Sequence, residues 1–305
     1  MLGADDSVVE ALATLCAKNR PEIIGLITTG LSEMQGADVP RTVHEFRRRH
    51  PEFSDVAVVP TSATDTLGCL ETGFALAVEA IVGVLVPVTR CAVKRPRQVN
   101  VLVPGSLTPA DVDEIRVLVE AFGLRPVILP DIADSLSGHL TDAGYSTLTY
   151  GGTARAEIAT MGHSAATLVI GASLNRAADL LQARTGVADH RFAGLMSLKD
   201  NDAFTEALAA IFGRAPPPSV LRARARLEDA MADCQFQIGG ARVAVAADPD
   251  HLAQLVRFFA ALGVEIVAAV ASTKTEGLRE LPVENVVGGD LEDLETLVAE
   301  IEAAG

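Results

Sequence analysis

The sequence predicts an α/β protein of parallel sheets covered by helices, arranged as three Rossmann-like units of which the first and third are incomplete. Two observations carry the class. Strand-sized runs at 23–27, 56–59 and 99–103 are mostly apolar at consecutive positions and rich in Val and Ile, the pattern of strands buried on both faces. Between such runs lie longer stretches of helical periodicity, opened by capping residues and closed by Gly or Pro, so that strand and helix alternate. A third observation divides the chain. Pro216-Pro217-Pro218 is a clear break, and the basic, proline-containing stretch 94–98 reads as a linker. The predicted boundaries are a first unit at 1–95, a second at 96–215, a connecting helix at 216–236 and a third unit at 237–305.

In chain order, Asp5 or Asp6 can cap a helix over 7–18, with Val8, Leu12 and Leu15 on its buried stripe and Cys16 beside it as a core thiol. The strand at 23–27 lies between Pro21 and Gly30 and runs into the turn Thr28-Thr29-Gly30. A helix over 39–49 is ended by Pro51. The strand at 56–59 is closed by Pro60, and the loop 61–69 leads into a helix over 70–86. In the second unit Thr108 caps a helix with Pro109 at its first position and Asp111 in its first turn. That helix ends near Gly123. A strand at 126–129, an edge strand at 147–150, a helix over 154–161, a strand at 166–170 and helices over 175–185 and 202–212 follow. A charged amphipathic helix over 219–233 leads to the third unit: strand 242–247, helix 249–262, strand 264–271 and a last helix over 291–303 capped by Asp290. Because this series ends on a helix, the third unit is expected to lack a strand.

Composition excludes several classes. The net charge is −15, from 25 basic and 40 acidic residues, the wrong sign for a nucleic-acid footprint. The cluster Arg47-Arg48-Arg49-His50 is local and suits a helix C-terminus. The hydrophobic fraction is 49% and the mean hydropathy +0.30, which suggests either many buried strands or a partner surface. No uninterrupted apolar stretch is long enough for a transmembrane helix, since Glu79 interrupts the best one. The N-terminus has neither the basic nor the apolar region of a signal peptide. The four cysteines, Cys16, Cys69, Cys91 and Cys234, form no Cys-x-x-Cys, so no zinc or ferredoxin motif is present. Scattered cysteines suit a reducing cytoplasm.

Loops at the carboxyl ends of parallel strands are where open α/β sheets hold ligands. Thr28-Thr29-Gly30 is therefore the first candidate site. Its backbone N–H groups can face an anion or a cluster; alternatively, it is an ordinary strand-to-helix turn in which Gly30 supplies a left-handed residue. Cys69 is the second. It stands where a loop enters a helix, and a helix N-terminus favours thiolate; the alternative is a half-buried, inert thiol. Asp248 and Asp250 read as helix caps rather than a metal pair. The glycine pairs at 151–152, 239–240 and 288–289 form no G-x-G-x-x-G, and no P-loop exists. The 6 histidines lie far apart without H-E-x-x-H, and G-x-S-x-G is absent.

The block Thr28-Thr29-Gly30-Leu31-Ser32-Glu33-Met34-Gln35-Gly36-Ala37-Asp38 resembles the nitrogenase component 1 superfamily, whose β-type subunits carry Thr-Thr-Cys, an acidic residue and Gly-Asp there. Gly68-Cys69-Leu70-Glu71-Thr72-Gly73-Phe74 and Val169-Ile170-Gly171-Ala172-Ser173 are similar to further blocks of its cofactor-assembly branch. So is Phe236-Gln237-Ile238-Gly239-Gly240-Ala241-Arg242-Val243-Ala244. The blocks keep the family's order over nearly the whole chain. The resemblance implies three α/β domains, with further segments ahead of Asp5 and beyond Gly305.

It also implies a non-catalytic role, as the β-like subunit of a heterotetrameric scaffold with a NifE-type α-like subunit. On that scaffold an iron–sulfur precursor becomes the iron–molybdenum cofactor. A [4Fe–4S] cluster would bridge the two subunits, using one cysteine from the segment ahead of Asp5. The precursor would be held mainly by the partner, and no cofactor by this chain alone. The nitrogenase iron protein and a cluster donor would be transient partners. Thr28, Thr29, Gly30 and Cys69 would form a cluster-proximal interface turn, with no catalytic residue and no metal ligand assigned. One alternative is the β-type subunit of a nitrogenase or protochlorophyllide-type reductase. Gly30 stands where the nitrogenase β subunit has a cluster-ligating cysteine, which counts against it. A two-domain nucleotide-sugar enzyme is the other alternative, and the missing phosphate loops argue against that.

Overall fold

The computed structural model describes residues 2–64, 66–89, 94–137 and 148–304. Helix α1 (Leu2–Asn19) begins ahead of the expected cap, so Asp5 and Asp6 lie inside it. Its buried stripe is Val9, Leu12 and Cys16, which pack with Phe46, while Leu15 is 45% exposed. The stripe is thus turned by one position from the predicted one, and burial raises the Cys16 thiol pKa. Strand β1 (Ile23–Thr28), the short helix α2 (Gly30–Met34) and helix α3 (Val39–Arg49) follow. Strand β2 (Ala57–Ser62) runs parallel to β1, with Ile23 opposite Ala57 and Thr28 opposite Ser62. It continues through Pro60, which a strand can hold where no neighbour needs its N–H; among the described residues β2 pairs with β1 alone.

Helix α4 (Leu70–Leu85) joins the first unit to the second. Its Val78, Val82 and Leu85 share one core with Ala177, Ala178 and Leu181 of a later helix. The stretch expected to be a linker is the start of strand β3 (Arg95–Leu102). Its first residues are exposed and its last five buried, so charge and proline at 94–98 mark the open end of a strand. Helix α5 (Pro109–Ala121), strand β4 (Arg125–Leu129), helix α6 (Arg155–Ile158), strand β5 (Ser164–Ile170), helix α7 (Asn175–Thr185), strand β6 (Asp189–Phe192) and helix α8 (Leu198–Phe212) complete the unit. The order is β4-β3-β5-β6, all parallel. The expected edge strand at 147–150 is not formed at 148–150, and Thr147 lies outside the described residues. The edges are β4 and β6; the Asp-His-Arg-Phe sequence of β6 carries no apolar run, and polar side chains on an edge discourage further pairing. Within the sheet, buried Asn100 donates to the Met161 carbonyl and the Thr167 hydroxyl, both at 3.0 Å, and accepts from Ser164 at 2.7 Å.

Helix α9 (Pro218–Ile238) is longer than predicted and buries none of its residues. Strand β7 (Arg242–Ala247), helix α10 (Pro249–Ala261), strand β8 (Glu265–Ala271), strand β9 (Val286–Gly288) and helix α11 (Leu291–Ala304) form the third unit. Its sheet, β7-β8-β9, is parallel and has three strands. β9 is a strand absent from the predicted series, and it lies ahead of α11, on which the series still ends. At three residues it is too short to leave a periodicity in sequence. No helix among the described residues is long and apolar enough to cross a membrane.

Candidate functional site at the start of helix α4

The turns after β1 and β2 leave the same end of one two-stranded sheet, because the strands are parallel and in register. Thr28 is buried, and its hydroxyl donates to Glu33 Oε1 at 2.7 Å; the Ser62 hydroxyl donates to the same oxygen. These two bonds, Ser62 first, hold the Glu33 carboxyl below the usual carboxylate range. Thr29 is the N-cap of α2. Its Oγ1 accepts from the Ser32 N–H at 3.3 Å, and its own N–H donates to Ser32 Oγ at 2.9 Å. The two residues cap one another, so those N–H groups do not face outward as an anion cradle.

Gly30 is the first residue of α2 and is not in the left-handed region. A Cβ there would meet nothing within 4 Å. The expected left-handed role falls instead to Gly36, with φ 76°, just past the helix. A helix's first residue keeps ordinary φ, whereas the residue beyond its end often needs the positive φ that glycine allows.

Cys69 is the N-cap of α4 and half-buried. Its N–H donates to Thr72 Oγ1 at 3.4 Å, and its Sγ lies 3.7 Å from that hydroxyl. Gly68 is needed beside it, since a Cβ at Gly68 would lie 2.4 Å from Thr72 Oγ1. A strand-end hollow of about 510 Å³ is lined by Thr28, Glu33, Pro60 and Ser62 among others, but not by Thr29, Gly30 or Cys69. The structure therefore places the four predicted residues on two adjoining turns and gathers only Thr28 into the hollow. Around those turns Ile27, Leu31, Met34, Leu67 and Leu70 are 52–87% exposed.

Two residues beyond Cys69, on the buried side, sequence reasoning missed a second constellation. Glu71 is 7% exposed and accepts the Asp250 N–H at 2.9 Å. The Asp250 carboxylate accepts from the Ala172 N–H at 3.1 Å and the Ser173 N–H at 2.9 Å. Residues from all three units meet there. Gly171, with φ 91°, makes room: a Cβ on it would lie 2.6 Å from Asp250 Oδ2. One turn along α10, Gln254 Oε1 accepts the Leu195 N–H at 3.3 Å over Gly194, where a Cβ would fall 2.0 Å from Gln254 Cδ.

Asp250 thus caps the start of the 3-10 turn Ala172–Leu174 in the second unit rather than its own helix, and Asp248 accepts from the Ser272 hydroxyl. Asp248 does hold the N-cap position of α10, without a side-chain bond to a helix N–H, so the capping reading stands by position for Asp248 and moves to the second unit for Asp250. Burial first, and the Asp250 charge second, push the Glu71 carboxyl up to about 7, against the lowering pull of the Asp250 N–H. An acid in a helix's first turn ordinarily reads as a partner of the dipole. Nothing local in the sequence pointed to a contact 179 residues away.

The donor set sets a limit on any metal chemistry. Among the described residues no three His, Cys, Asp or Glu side chains are grouped to hold a metal ion. Cys16 is in the first-unit core, Cys69 is half-buried at the head of α4, and Cys234 is exposed on α9. Cys91 lies outside the described residues. The described thiols therefore do not form a cluster site by themselves.

The model of the nitrogenase component 1 type oxidoreductase family matches residues 1–304. The chain belongs to this nitrogenase component 1 family. Among curated relatives it is 43% identical over 298 residues to the nitrogenase iron-molybdenum cofactor biosynthesis protein NifN of Klebsiella pneumoniae, covering 98% of this chain and 65% of that protein. It is 40% identical over 318 residues to the NifN of Rippkaea orientalis, covering 99% of this chain and 69% of that protein. The chain thus spans about two thirds of the length of these relatives. Among solved structures, a chain of nitrogenase Cp1 at pH 6.5 superposes with a TM-score of 0.88 at 28% identity, over 96% of this chain and 66% of that one. The family and the α/β fold implied by the sequence blocks are both borne out.

Proposed function

We propose that this nitrogenase component 1 chain serves as the β-like subunit of a scaffold on which the iron–molybdenum cofactor is assembled, paired with a NifE-type α-like subunit in a heterotetramer. The observation that carries the reading is the apolar face on the two turns of the first unit. Ile27, Leu31, Met34, Leu67 and Leu70 stand exposed around the Thr28-Thr29-Gly30 turn and Cys69, a concentration of apolar surface that suits burial against another subunit. The similarity to proteins named NifN supports the same reading.

Within such a complex this chain's residues have limited roles. Thr28 and Ser62 fix Glu33 at the strand ends, and the self-capped Thr29 turn holds Leu31 and Met34 outward. A bridging [4Fe–4S] cluster would supply electron-transfer and assembly chemistry at the interface. Cys69 offers one thiol beside it, and Gly30 offers none. The cofactor precursor would rest on the partner's side, and the nitrogenase iron protein and a cluster donor would visit the assembled scaffold in the cytoplasm. Gly30 separates this from a reductase β subunit: with glycine there, the turn lacks the thiolate that a larger relay cluster requires.

The test is co-purification with a NifE-type partner. Leu31→Asp together with Met34→Asp should cut recovery of the complex at least tenfold while leaving the melting temperature of the isolated chain unchanged. Undiminished complex formation by that double variant would refute the assignment of this face.

A further inference from the structure

Beside the Glu71–Asp250 contact a cleft of about 490 Å³ opens where the three units meet. Helix α10 presents Asp250, Ala253 and Arg257 to it, positions spaced to share one helix face. Most charged groups on the cleft are already engaged. Asp250 holds two backbone N–H groups, Glu79 pairs with Arg176 at 3.2 Å, and Arg191 pairs with Asp179 and Asp189. Arg257 differs: its Nη1 is buried and has no hydrogen-bond partner. A buried donor left without an acceptor is unfavourable, and in a cleft it marks the place of a missing acceptor.

We propose that this cleft binds a small organic carboxylate, whose oxygens accept from the Arg257 guanidinium. The planar fork of an arginine matches a carboxylate through two parallel bonds. The walls favour a carbon skeleton over a bare ion, since Ala75, Leu76, Phe192 and Pro249 line the cleft. Its volume lies in the range of pockets that take metabolite-sized ligands. Glu79 and Glu280 also line it, so the ligand must gain from apolar contact as well as from the guanidinium, and inorganic phosphate has no carbon skeleton to supply that contact. The inference concerns the junction and does not depend on the scaffold role of the first-unit face.

Calorimetric titration of the full chain with succinate, at ionic strength held constant with sodium chloride, tests it. Saturable binding is expected, weakened at least tenfold by Arg257→Met and less by Arg257→Lys. Neither variant should lower the melting temperature, because Met removes the stranded donor and Lys keeps the charge. Inorganic phosphate should bind at least tenfold more weakly than succinate. Absent succinate binding, or binding unchanged in Arg257→Met, would overturn the site. Phosphate binding as tightly as succinate would overturn the carboxylate assignment. Binding seen only in Glu280→Gln would mean that the exposed Glu280 fills the place itself, which also overturns the proposal.

Discussion

The first turn of α4 faces two different environments within three residues. Cys69 and the turns around it lie at an open sheet end, with satisfied backbone caps and exposed apolar side chains. Glu71 lies at a closed junction, where a carboxylate is desolvated and a second carboxylate is fully engaged by backbone donors. The difference teaches where each part of the helix acts. The open side is complete as local structure and lacks only a covering surface. The closed side has little local logic and exists only because three units dock on it.

The largest effect should come from filling the space that the docking needs. Gly171→Ala places a Cβ 2.6 Å from Asp250 Oδ2 at a φ of 91°, so about 3 kcal/mol of destabilisation is expected. Chemical denaturation should show it as a fall in midpoint, together with faster proteolysis between α9 and the third unit. A fall confined to a few tenths of a kcal/mol would mean that the junction is not closed in solution.

A smaller and pH-dependent effect is expected of Glu71→Gln, which keeps an acceptor for the Asp250 N–H but removes the charge. In the wild type the folded-state pKa is raised to about 7, so the folded chain binds the proton more tightly than the unfolded chain. Stability from this group is full below the unfolded pKa, falls as pH rises from about 4.5 to about 7, and is flat above. The variant should therefore match wild type near pH 4 and exceed it by ~1–3 kcal/mol at pH 8. Equal stability of the two chains across that range would refute the buried, proton-sensitive state of Glu71.

The smallest effect belongs to the open side. Gly30→Ala meets no atom within 4 Å and needs no unusual backbone, so its unfolding free energy should stay within ~0.5 kcal/mol of wild type. A larger loss would restore the idea that Gly30 is required by its backbone and would weaken the reading of the turn as an interface.

How much of this was legible in the sequence follows from the range of each interaction. Helices α3 (Val39–Arg49) and α7 (Asn175–Thr185) were read to the residue, because caps, prolines and apolar spacing act within a few positions. Strands buried on both faces were legible for the same reason, as were the core thiol Cys16 and the family itself, whose blocks are contiguous. Strands β6 and β9 were not legible. One is a charged edge and the other three residues long, and only a neighbouring strand makes either of them a strand.

The sequence by itself determined the fold class, the helix boundaries set by local caps, the family and the place of the strand-end turns. Tertiary structure alone decided the rest. It set the exact stripe of α1, the ordinary backbone of Gly30, and above all the meeting of Glu71, Asp250 and Gly171. That meeting depends on groups far apart in the chain whose pKa, packing and backbone requirements arise only from burial against one another.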